Sequence, residues 1–321
     1  MEQFTDRIAV VTGGGTGMGR ELVRQLSAEG CHVALCDVNE ETMAEMVTLA
    51  EKEAPTGTRL TTFVADVADA SQIDVFRDHV TAELDTDHVH LVFNNAGIGG
   101  GGSFLVDERE SWERTFGICW GGVYNGCRAF LPLLVASEGG HIVNVSSVNG
   151  FWASIGPFTS HTAYSAAKFA VRGFTEALIT DLRLNAPHVQ AHVVMPGHIG
   201  TSIVLNSAAI LGHRPEDMTA EDLERMRQTA ARLGVDTSTV SDDELRGFMQ
   251  ARGELFRDAA PTTAEQAATI ILDGVRAGQW RILVGADAAV MDRRVRAEPE
   301  LAYEADFFED VIREGGMDLG L

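Results

Sequence analysis

The alternation of short apolar runs with longer amphipathic stretches is the feature that most constrains the fold of this chain. Strand-like runs are expected at 8–11, 32–36, 60–64, 90–93, 141–145, 190–195 and 281–284. Helical patterns are expected between them, near 18–29, 40–53, 70–84, 111–135 and 163–185. Strands and helices that alternate in this way form a parallel sheet joined by right-handed helical crossovers. The sequence therefore predicts an α/β fold, a doubly wound parallel sheet, within one domain spanning residues 1–321.

A glycine-rich turn follows the first of these runs, in the segment VVTGGGTGMGREL (residues 10–22). The turn lies between an apolar run and a helical stripe formed by Leu22, Val23 and Leu26. A flexible linker would instead have polar, low-complexity surroundings. Glycines between a strand and a helix let the backbone approach a pyrophosphate, which the free N–H groups of the helix N-terminus can bind. The segment therefore predicts a nucleotide site.

Charge and composition exclude several classes of function. The 321 residues include 47 acidic and 25 basic side chains, a formal net charge of −22, whereas nucleic acids and anionic membranes attract basic surfaces. No apolar run reaches the length of about 18 residues that a transmembrane helix needs, and the first residues lack a signal-peptide pattern. The four cysteines have neither metal-binding nor paired spacing. We therefore expect a cytoplasmic protein with free thiols and no metal, nucleic-acid or membrane partner.

An acidic residue, Asp37, ends the second predicted strand about twenty residues after the glycine turn. A carboxylate there can accept hydrogen bonds from both adenosine ribose hydroxyls of NAD and repel the extra phosphate of NADP. Val38 and the glycine turn offer no basic residue for that phosphate. The alternative role of Asp37 is to cap the next helix, which begins near Asn39. NAD is the favoured cofactor.

The third, fourth and fifth predicted strands also end in polar or small residues. Asp66 and Val67 follow the third strand, where a side chain could reach an adenine ring. The segment Asn94–Gly97 follows the fourth strand and could pass beneath a cofactor. Ser146 and Ser147 end the fifth, where a hydroxyl could orient a substrate oxygen. Taken alone, Asn94–Gly97 is equally typical of a plain turn, and serine at a strand end is a common turn residue.

Tyr164 and Lys168, in the segment AYSAAKFA, lie four residues apart and so share one face of a predicted helix. The chain has only three tyrosines and two lysines, so chance alone rarely places one of each at this spacing. An ammonium group near a phenol favours the phenolate and lowers the tyrosine pKa. The pair therefore predicts a tyrosine that acts as a general acid and base near neutral pH.

Together these residues resemble the short-chain dehydrogenase/reductase family over residues 5–202 and 262–285. The resemblance implies a Rossmann fold with NAD held by the following residues: Gly13, Thr16, Gly17, Met18, Gly19, Asp37, Asp66, Val67, Asn95, Ala96, Gly97, Tyr164, Lys168, Pro196, Gly197, Ile199 and Thr201. It implies Tyr164 as proton donor and acceptor and Lys168 as the group that lowers its pKa and binds the nicotinamide ribose. Ser147, rather than Ser146, would position the substrate oxygen. We also expect a homo-oligomer, either a dimer or a tetramer.

Two departures from the family pattern bear on activity. Cys119 stands where the family has an asparagine that helps to hold a local opening of its helix and a proton relay. Gly117, Gly121 and Gly122 weaken the helix here by about 1 kcal/mol each, so the opening could persist; alternatively, Cys119 is only a packing residue. The second departure is a longer segment between Ser147 and Tyr164. It is expected to border the substrate, with candidate apolar walls at Phe151, Trp152 and Phe158.

The segment 202–260 departs from the strand–helix alternation and is predicted to be a helical insertion that acts as a lid. Its first helix follows Thr219, with Leu223, Met226 and Leu233 on one face and Gly234 at the end. Its second helix starts at a Ser241–Glu244 capping box and carries the apolar residues Leu245, Phe248, Met249 and Phe256. A helix near 263–277, opened by Thr262 and Glu265, returns the chain to the sheet. The tail, 286–321, has an apolar stripe typical of core or subunit contact: Phe307, Phe308, Val311 and Ile312.

These features predict an NAD-dependent alcohol dehydrogenase or ketone reductase acting on a secondary alcohol or ketone. The long insertion and the apolar loop favour a bulky, apolar substrate such as a steroid, a terpenoid or an aromatic alcohol. Two alternatives remain open at this point. One is a lyase or epimerase on the same scaffold, and the other is an NAD-binding regulatory protein that has lost catalysis.

Overall fold

Seven parallel strands form the central sheet of the computed structural model, which describes residues 3–156, 159–232 and 234–316. The seven strands are β1 (Ile8–Thr12), β2 (His32–Asp37), β3 (Leu60–Val64), β4 (Leu91–Asn94), β5 (Gly140–Val145), β6 (Val189–Pro196) and β9 (Arg281–Val284). Two short strands, β7 (Ile199–Gly200) and β8 (Thr262–Thr263), pair with each other outside this sheet. The order of the strands in the large sheet is β3-β2-β1-β4-β5-β6-β9. Each predicted strand is found, with ends within one residue of the expected ones.

Helices cover both faces of this sheet. They are α1 (Gly17–Ala28), α2 (Glu40–Glu53), α3 (Ala70–Glu83), α4 (Arg109–Phe116), α5 (Gly122–Val135), α6 (Thr162–Asn185), α7 (Ile203–Ile210), α8 (Ala220–Arg232), α9 (Asp242–Asp258), α10 (Ala264–Arg276), α11 (Ala286–Ala297) and α12 (Ala305–Arg313). The single helix expected at 111–135 is instead two helices joined by a π-helical turn at Gly117–Gly121. The doubly wound α/β fold is confirmed.

The core lies on the two faces of the central strands, which are buried along their whole length. Val10, Val92 and Ile142 face one layer of helices, where Phe76 and Phe130 complete an apolar cluster. The neighbouring strand positions, such as Val11, Phe93 and Val143, belong to a second cluster on the opposite face. Strands covered on both faces need apolar residues at successive positions, which is why their runs are so clear in the sequence.

The order of the strands reverses at β1, because β2 follows on one side and β4 lies on the other. The loops after β1 and β4 therefore leave the sheet in opposite directions and open a crevice at the carboxyl ends of the strands. Open α/β sheets bind their ligands at such a point. The glycine turn and the segment that begins at Asn95 lie at this crevice.

Helices α7, α8 and α9 form the insertion predicted at 202–260. Its own small apolar cluster consists of Met218, Leu223 and Leu245 with three partly buried neighbours. The Ser241–Glu244 capping box is present, whereas Phe248 is 61% exposed and so lies off the buried face of α9. Leu233 is outside the described residues.

The start of the helix that returns the chain to the sheet is shifted by one residue from the expected one. Thr263 caps α10 in a capping box with Gln266, rather than Thr262 with Glu265. Thr262 is instead buried in β8, where it pairs with Ile199 of β7. Pairing of the backbone in β8 therefore decides which of the two adjacent threonines opens the helix.

The tail after residue 286 packs on the long loop that follows β5. Phe307 and Val311 are buried with Phe151 and Trp152 in one apolar cluster, so the predicted stripe of the tail is core. Trp152 donates its indole N–H to the carbonyl of Ala302 across 2.7 Å. The expectation that Phe151 and Trp152 form walls for a substrate is wrong, because the tail covers both. Phe158 lies outside the described residues.

All four cysteines are free and buried, as the sequence predicts. Within the ranges that the structure describes, no group of three or more metal-ligating side chains is found. Across those same ranges, no helix is both long enough and apolar enough to cross a bilayer.

Candidate active site

The glycine turn after β1 is held against β2 by main-chain hydrogen bonds. The N–H groups of Gly13 and Gly14 both donate to the carbonyl of Cys36, at 2.8 and 3.1 Å. Gly13 and Gly17 have φ angles of +67° and +55°, which side-chain-bearing residues rarely adopt. The N-cap of α1, Thr16, makes no side-chain cap, so the first turn of the helix keeps N–H groups for an anion.

The segment after β4 fastens the other side of this turn. The side-chain amide of Asn95 donates to the carbonyl of Thr12 across 3.0 Å. The Thr12 hydroxyl accepts from the N–H groups of Asn95 and Ala96, both at 3.1 Å. A Cβ atom at Gly13 would meet the Cα of Ala96 at 2.8 Å. Asn95 thus supports the glycine turn from below, and its amide is engaged in that role.

Asp37 stands at the carboxyl end of β2, beside the turn. Its carboxylate accepts from the N–H of Gly15 at 3.0 Å and from the N–H of Asn39 at 3.2 Å. The side chain of Asn39, not Asp37, caps α2. The carboxylate therefore lies beside the glycine turn and anchors it.

A basic residue, Arg20, lies close to this position and was not considered in the sequence-based prediction. Its guanidinium donates to the carbonyl of Gly15 at 2.8 Å and to the carboxylate of Glu45 at 3.1 Å. Arg20 lies in the first turn of helix α1. It reaches the Gly15 carbonyl because the glycine turn folds back toward the helix. The Glu45 carboxylate partly neutralises it.

Asp66 and Val67 follow β3, at the outer end of the crevice. The Asp66 carboxylate accepts from the Ala68 N–H at 2.9 Å and pairs with Arg114 of α4 at 2.6 Å. Val67 is buried, and its carbonyl accepts from the Asn125 amide at 2.9 Å. Arg114, from a helix 48 positions later, had no signal in the sequence.

Ser147, Tyr164 and Lys168 are brought together by the end of β5 and the first turns of α6. The Ser147 hydroxyl accepts from the N–H of Asn149 at 3.1 Å and interacts with the Tyr164 hydroxyl. Ser146, in contrast, donates to the carbonyl of Lys168 at 2.8 Å. Ser146 therefore ties β5 to α6, and Ser147 is the serine available to a substrate.

The two titratable groups of this set have displaced pKa values. Burial raises the pKa of the Tyr164 phenol, and the interaction with Ser147 lowers it by a smaller amount. Burial lowers the pKa of Lys168. The Lys168 ammonium lies 5.3 Å from the centre of the Tyr164 ring and donates to the Val145 carbonyl at 2.9 Å. In this structure burial raises the tyrosine pKa, whereas the Tyr164–Lys168 spacing predicts a lowered one.

Cys119 lies inside the π-helical turn, next to the lysine. Its thiol donates to the carbonyl of Ile98 at 3.2 Å and is fully buried. A Cβ atom at Gly97 would lie 3.5 Å from the Lys168 ammonium and 3.7 Å from the Cys119 sulfur. The predicted local opening of the helix is therefore present without an asparagine.

The segment Pro196–Thr201 crosses the top of the crevice after β6. The N–H of Gly197 donates to the carbonyl of Val284 at 2.9 Å, and the N–H of His198 to the Asp287 carboxylate at 2.7 Å. The methyl group of Thr201 would be 3.2 Å from a Cβ atom at Gly17. This segment and the glycine turn therefore face each other across the crevice. Asp287, from α11, had no signal in the sequence.

Helix α7 continues from this segment and makes hydrogen bonds to both sides of the crevice. The Asn206 amide donates to the Thr16 hydroxyl across 3.2 Å. The Ser207 hydroxyl accepts from the N–H of Gly99 across 2.7 Å. The start of the insertion therefore touches both the glycine turn after β1 and the loop after β4.

The fold and this set of residues define a dinucleotide-binding oxidoreductase of the Rossmann class. The short chain dehydrogenase family model matches residues 7–209, and the chain belongs to the short-chain dehydrogenase/reductase family. It is 36% identical over 293 residues, 91% of each chain, to the putative oxidoreductase SadH of Mycobacterium tuberculosis. It is 33% identical to levodione reductase of Leifsonia aquatica, over 68% of this chain and 79% of that one.

Solved structures are similar over most of the chain. A short-chain dehydrogenase/reductase from Burkholderia phymatum, in complex with NAD, has a TM-score of 0.74 at 27% identity and covers 94% of this chain and 96% of its own. A metagenomic short-chain oxidoreductase in complex with NADP has a TM-score of 0.53 at 27% identity, over 60% of this chain and 83% of its own. The two neighbours differ in their cofactor.

Proposed function

We propose that this protein is an NAD-dependent dehydrogenase or ketone reductase that acts on a bulky, mainly apolar secondary alcohol or its ketone. The observation that carries the proposal is the position of Tyr164 and the available Ser147 beside a glycine turn whose N–H groups face the same crevice. A proton-transferring phenol next to a dinucleotide site fits alcohol–carbonyl chemistry. The coarser statement, an oxidoreductase of this family, follows from the comparisons already given.

The residues present fit a bound NAD. The uncapped first turn of α1 suits the pyrophosphate, and the Asp37 carboxylate suits the adenosine ribose hydroxyls. Asp66 and Val67 lie where an adenine ring would end, and Ile199 and Thr201 where a carboxamide would meet β7. Arg20 would tolerate a 2′-phosphate only if it released Glu45. When bound, NAD supplies the acceptor or donor of the hydride.

The chain's own residues manage the proton. Ser147 donates a hydrogen bond to the substrate oxygen and holds it near the Tyr164 hydroxyl. Tyr164, whose raised pKa keeps it protonated at neutral pH, donates its proton to that oxygen when a ketone is reduced. Lys168, fixed to the Val145 carbonyl, has the position to receive a ribose hydroxyl. The π-helical turn at Gly117–Gly121 interrupts the α-helical hydrogen-bond pattern near the lysine, which suits a proton path behind it.

A bulky apolar substrate is favoured by the insertion that covers the crevice. Helix α7 has the sequence IVLNSAAI, which is largely apolar, and it spans the gap between Thr16 and Gly99. Helix α9 packs on α7 where Gly253 receives the Leu205 side chain. We propose that residues 202–260 act as a lid. Shortening 214–240 should then impair turnover of large substrates more than NAD affinity, whereas a uniform loss of folding would contradict a lid.

The test of the function is a screen of NAD reduction with bulky secondary alcohols and of NADH oxidation with the matching ketones. Formation of the ketone in step with NADH would support the proposal. NAD binding without turnover would favour the regulatory alternative. Conversion of substrate with no net change in NADH would favour the lyase or epimerase.

We also propose a homo-oligomer in the cytoplasm. Exposed aromatic side chains on the outer faces of α5 and α6, Tyr124 at 45% and Phe169 at 41% exposure, supply a surface for a second copy. Sedimentation of the wild type and of a Tyr124→Glu, Phe169→Glu variant would test it, and unchanged monomeric behaviour of both would contradict it.

A further inference from the structure

An imidazole ring packs on the candidate catalytic tyrosine. The rings of His161 and Tyr164 have centroids 4.6 Å apart and planes inclined by 33°. His161 is the N-cap residue of α6 and lies three positions before the tyrosine. His161 belongs to none of the sequence motifs of the candidate site.

The fold holds this ring in place. On its C-terminal side, the N–H groups of Thr162 and Ala163 donate to the carbonyls of Gly102 and Gly101, both at 2.9 Å. The His161 carbonyl accepts from the Ser165 N–H at 3.1 Å. The backbone is therefore tied both to the loop after β4 and to α6. The position of the imidazole beside Tyr164 is a property of the rigid part of the site.

Burial lowers the pKa of His161 to about 4, so the ring is neutral near pH 7 and carries one N–H. Its Nδ1 atom is buried and has no hydrogen-bond partner among the described residues. A buried N–H without an acceptor is rarer and more costly than a buried acceptor without a donor. The proton is therefore assigned to Nε2, and the residue as a whole stays partly accessible. His161 presents a neutral hydrogen-bond donor next to the tyrosine.

We propose that His161 is a specificity-determining residue that donates a hydrogen bond from Nε2 to a second oxygen of the substrate. This inference rests on the proposed function and names its substrate class more closely. Since the two rings are in contact, an oxygen bound by His161 belongs to a carbon next to the reacting one or one further along. The substrate is thus an alcohol or ketone with a neighbouring hydroxyl, keto or ether oxygen. Sites built to bond such an oxygen discriminate strongly against analogues that lack it.

The test uses one pair of probes, trans-1,2-cyclohexanediol and cyclohexanol, with the wild type and two variants. His161→Phe keeps an aromatic ring on Tyr164 and removes the donor, whereas His161→Gln keeps a donor and removes the ring. We expect the wild type to favour the diol by about tenfold in kcat/KM, the factor that corresponds to one hydrogen bond of ~1.4 kcal/mol. His161→Phe should lower kcat/KM for the diol about tenfold more than for cyclohexanol, and His161→Gln should restore part of that preference.

Affinity for the enzyme–NADH complex, measured for both probes by saturation-transfer NMR, gives the same ratio without turnover. Thermal unfolding of each variant checks that it is folded. An equal loss for both probes in His161→Phe would overturn the proposal and leave His161 as a support for Tyr164. No preference for the diol in the wild type, or no binding of either probe, would also overturn it. Oxidation of cyclohexanol by the wild type tests the proposed function separately, since it does not depend on the second oxygen.

Discussion

The Lys168 ammonium donates to the carbonyl of Val145 across 2.9 Å and lies 5.3 Å from the centre of the Tyr164 ring. The lysine is therefore fixed by the end of β5, and the phenol hydroxyl is left to Ser147 and the substrate. A Tyr-x-x-x-Lys spacing alone does not distinguish these two roles, in which the lysine is anchored to the main chain and the phenol hydroxyl is left for proton transfer. This arrangement also determines what removal of each group should do.

Replacing Tyr164 by phenylalanine should abolish most turnover and spare cofactor binding. The substitution keeps the ring that packs on His161 but removes the phenol proton that is proposed to transfer to the substrate oxygen. General acid–base groups contribute about 100-fold or more, so kcat should fall at least that far. NADH fluorescence titration should give an unchanged Kd. Retention of most activity would rule out Tyr164 as the proton-transferring group.

The pH dependence should differ between the two directions of reaction. Burial raises the pKa of Tyr164, so the phenol stays protonated through neutral pH and becomes a base only in the alkaline range. Alcohol oxidation should therefore rise with pH into that range, and ketone reduction should fall there. Initial rates in both directions from pH 6 to 10 would check this, and an oxidation optimum at neutral pH would contradict it.

Cofactor preference should depend on the charge of Asp37. The Asp37 carboxylate accepts a hydrogen bond from the Gly15 N–H at 3.0 Å. Asp37→Asn keeps an oxygen for that bond but removes the charge that repels a 2′-phosphate. The ratio of kcat/KM for NAD over NADP should fall about tenfold or more, equivalent to ~1.4 kcal/mol. Asp37→Ser, which loses both charge and reach, serves as the comparison. Equal efficiency of the wild type with both cofactors would remove the basis of this prediction.

Cys119→Asn should leave the fold intact and should not lower turnover. The π-helical turn is already open around Cys119, and a carboxamide can replace the weak thiol bond to the Ile98 carbonyl. If the cysteine makes a proton path less efficient, kcat should rise. Cys119→Ala is the control for removal of the thiol alone. A clear drop in turnover of Cys119→Asn at an unchanged Tm would show that the cysteine has a role of its own.

Stability should fall as the solution becomes acidic. Burial lowers the pKa of His141 to about 3 and of His90 to about 4, against about 6.5 in an unfolded chain. The unfolded state therefore binds protons first, and the stability present at neutral pH is lost progressively below pH ~6.5, by up to ~1.4 kcal/mol per group and pH unit. Chemical denaturation from pH 7.5 to 4.5 would measure the slope. His141→Gln should make it shallower, and an identical slope would refute the assignment.

The sequence predicted the frame of the site well because its signals are local. Strands covered on both faces must be apolar at successive positions, so β1 and β5 could be recognised from their own residues. The glycines around Cys119 indicated a weakened helix, and the π-helical turn lies at these positions. The family resemblance favoured Ser147 over Ser146, and the structure shows the Ser146 hydroxyl bonded to the Lys168 carbonyl.

The errors came from partners that are distant in the chain. From the sequence, Trp152 could line a pocket or join the core. Its hydrogen bond to the carbonyl of Ala302, 150 residues later in the chain, holds it in the core. The pKa of Tyr164 is raised rather than lowered because its burial depends on residues that are distant in the sequence. Arg114 and Asp287 were missed since isolated charged residues on helices carry no pattern that distinguishes a surface from a site.

The bond between Trp152 and Ala302 has a consequence for how the protein is made. A chain emerges from the ribosome with its N-terminal part first, so β1 and the glycine turn can form while most of the sequence is still untranslated. The loop after Ser147 receives Ala302 and the Tyr303 hydroxyl, which accepts from the Ala153 N–H at 3.2 Å, only near the end of synthesis. The glycine turn can therefore be complete before the loop after Ser147, and a nascent chain released before Ala302 would lack the acceptor of the Trp152 indole N–H.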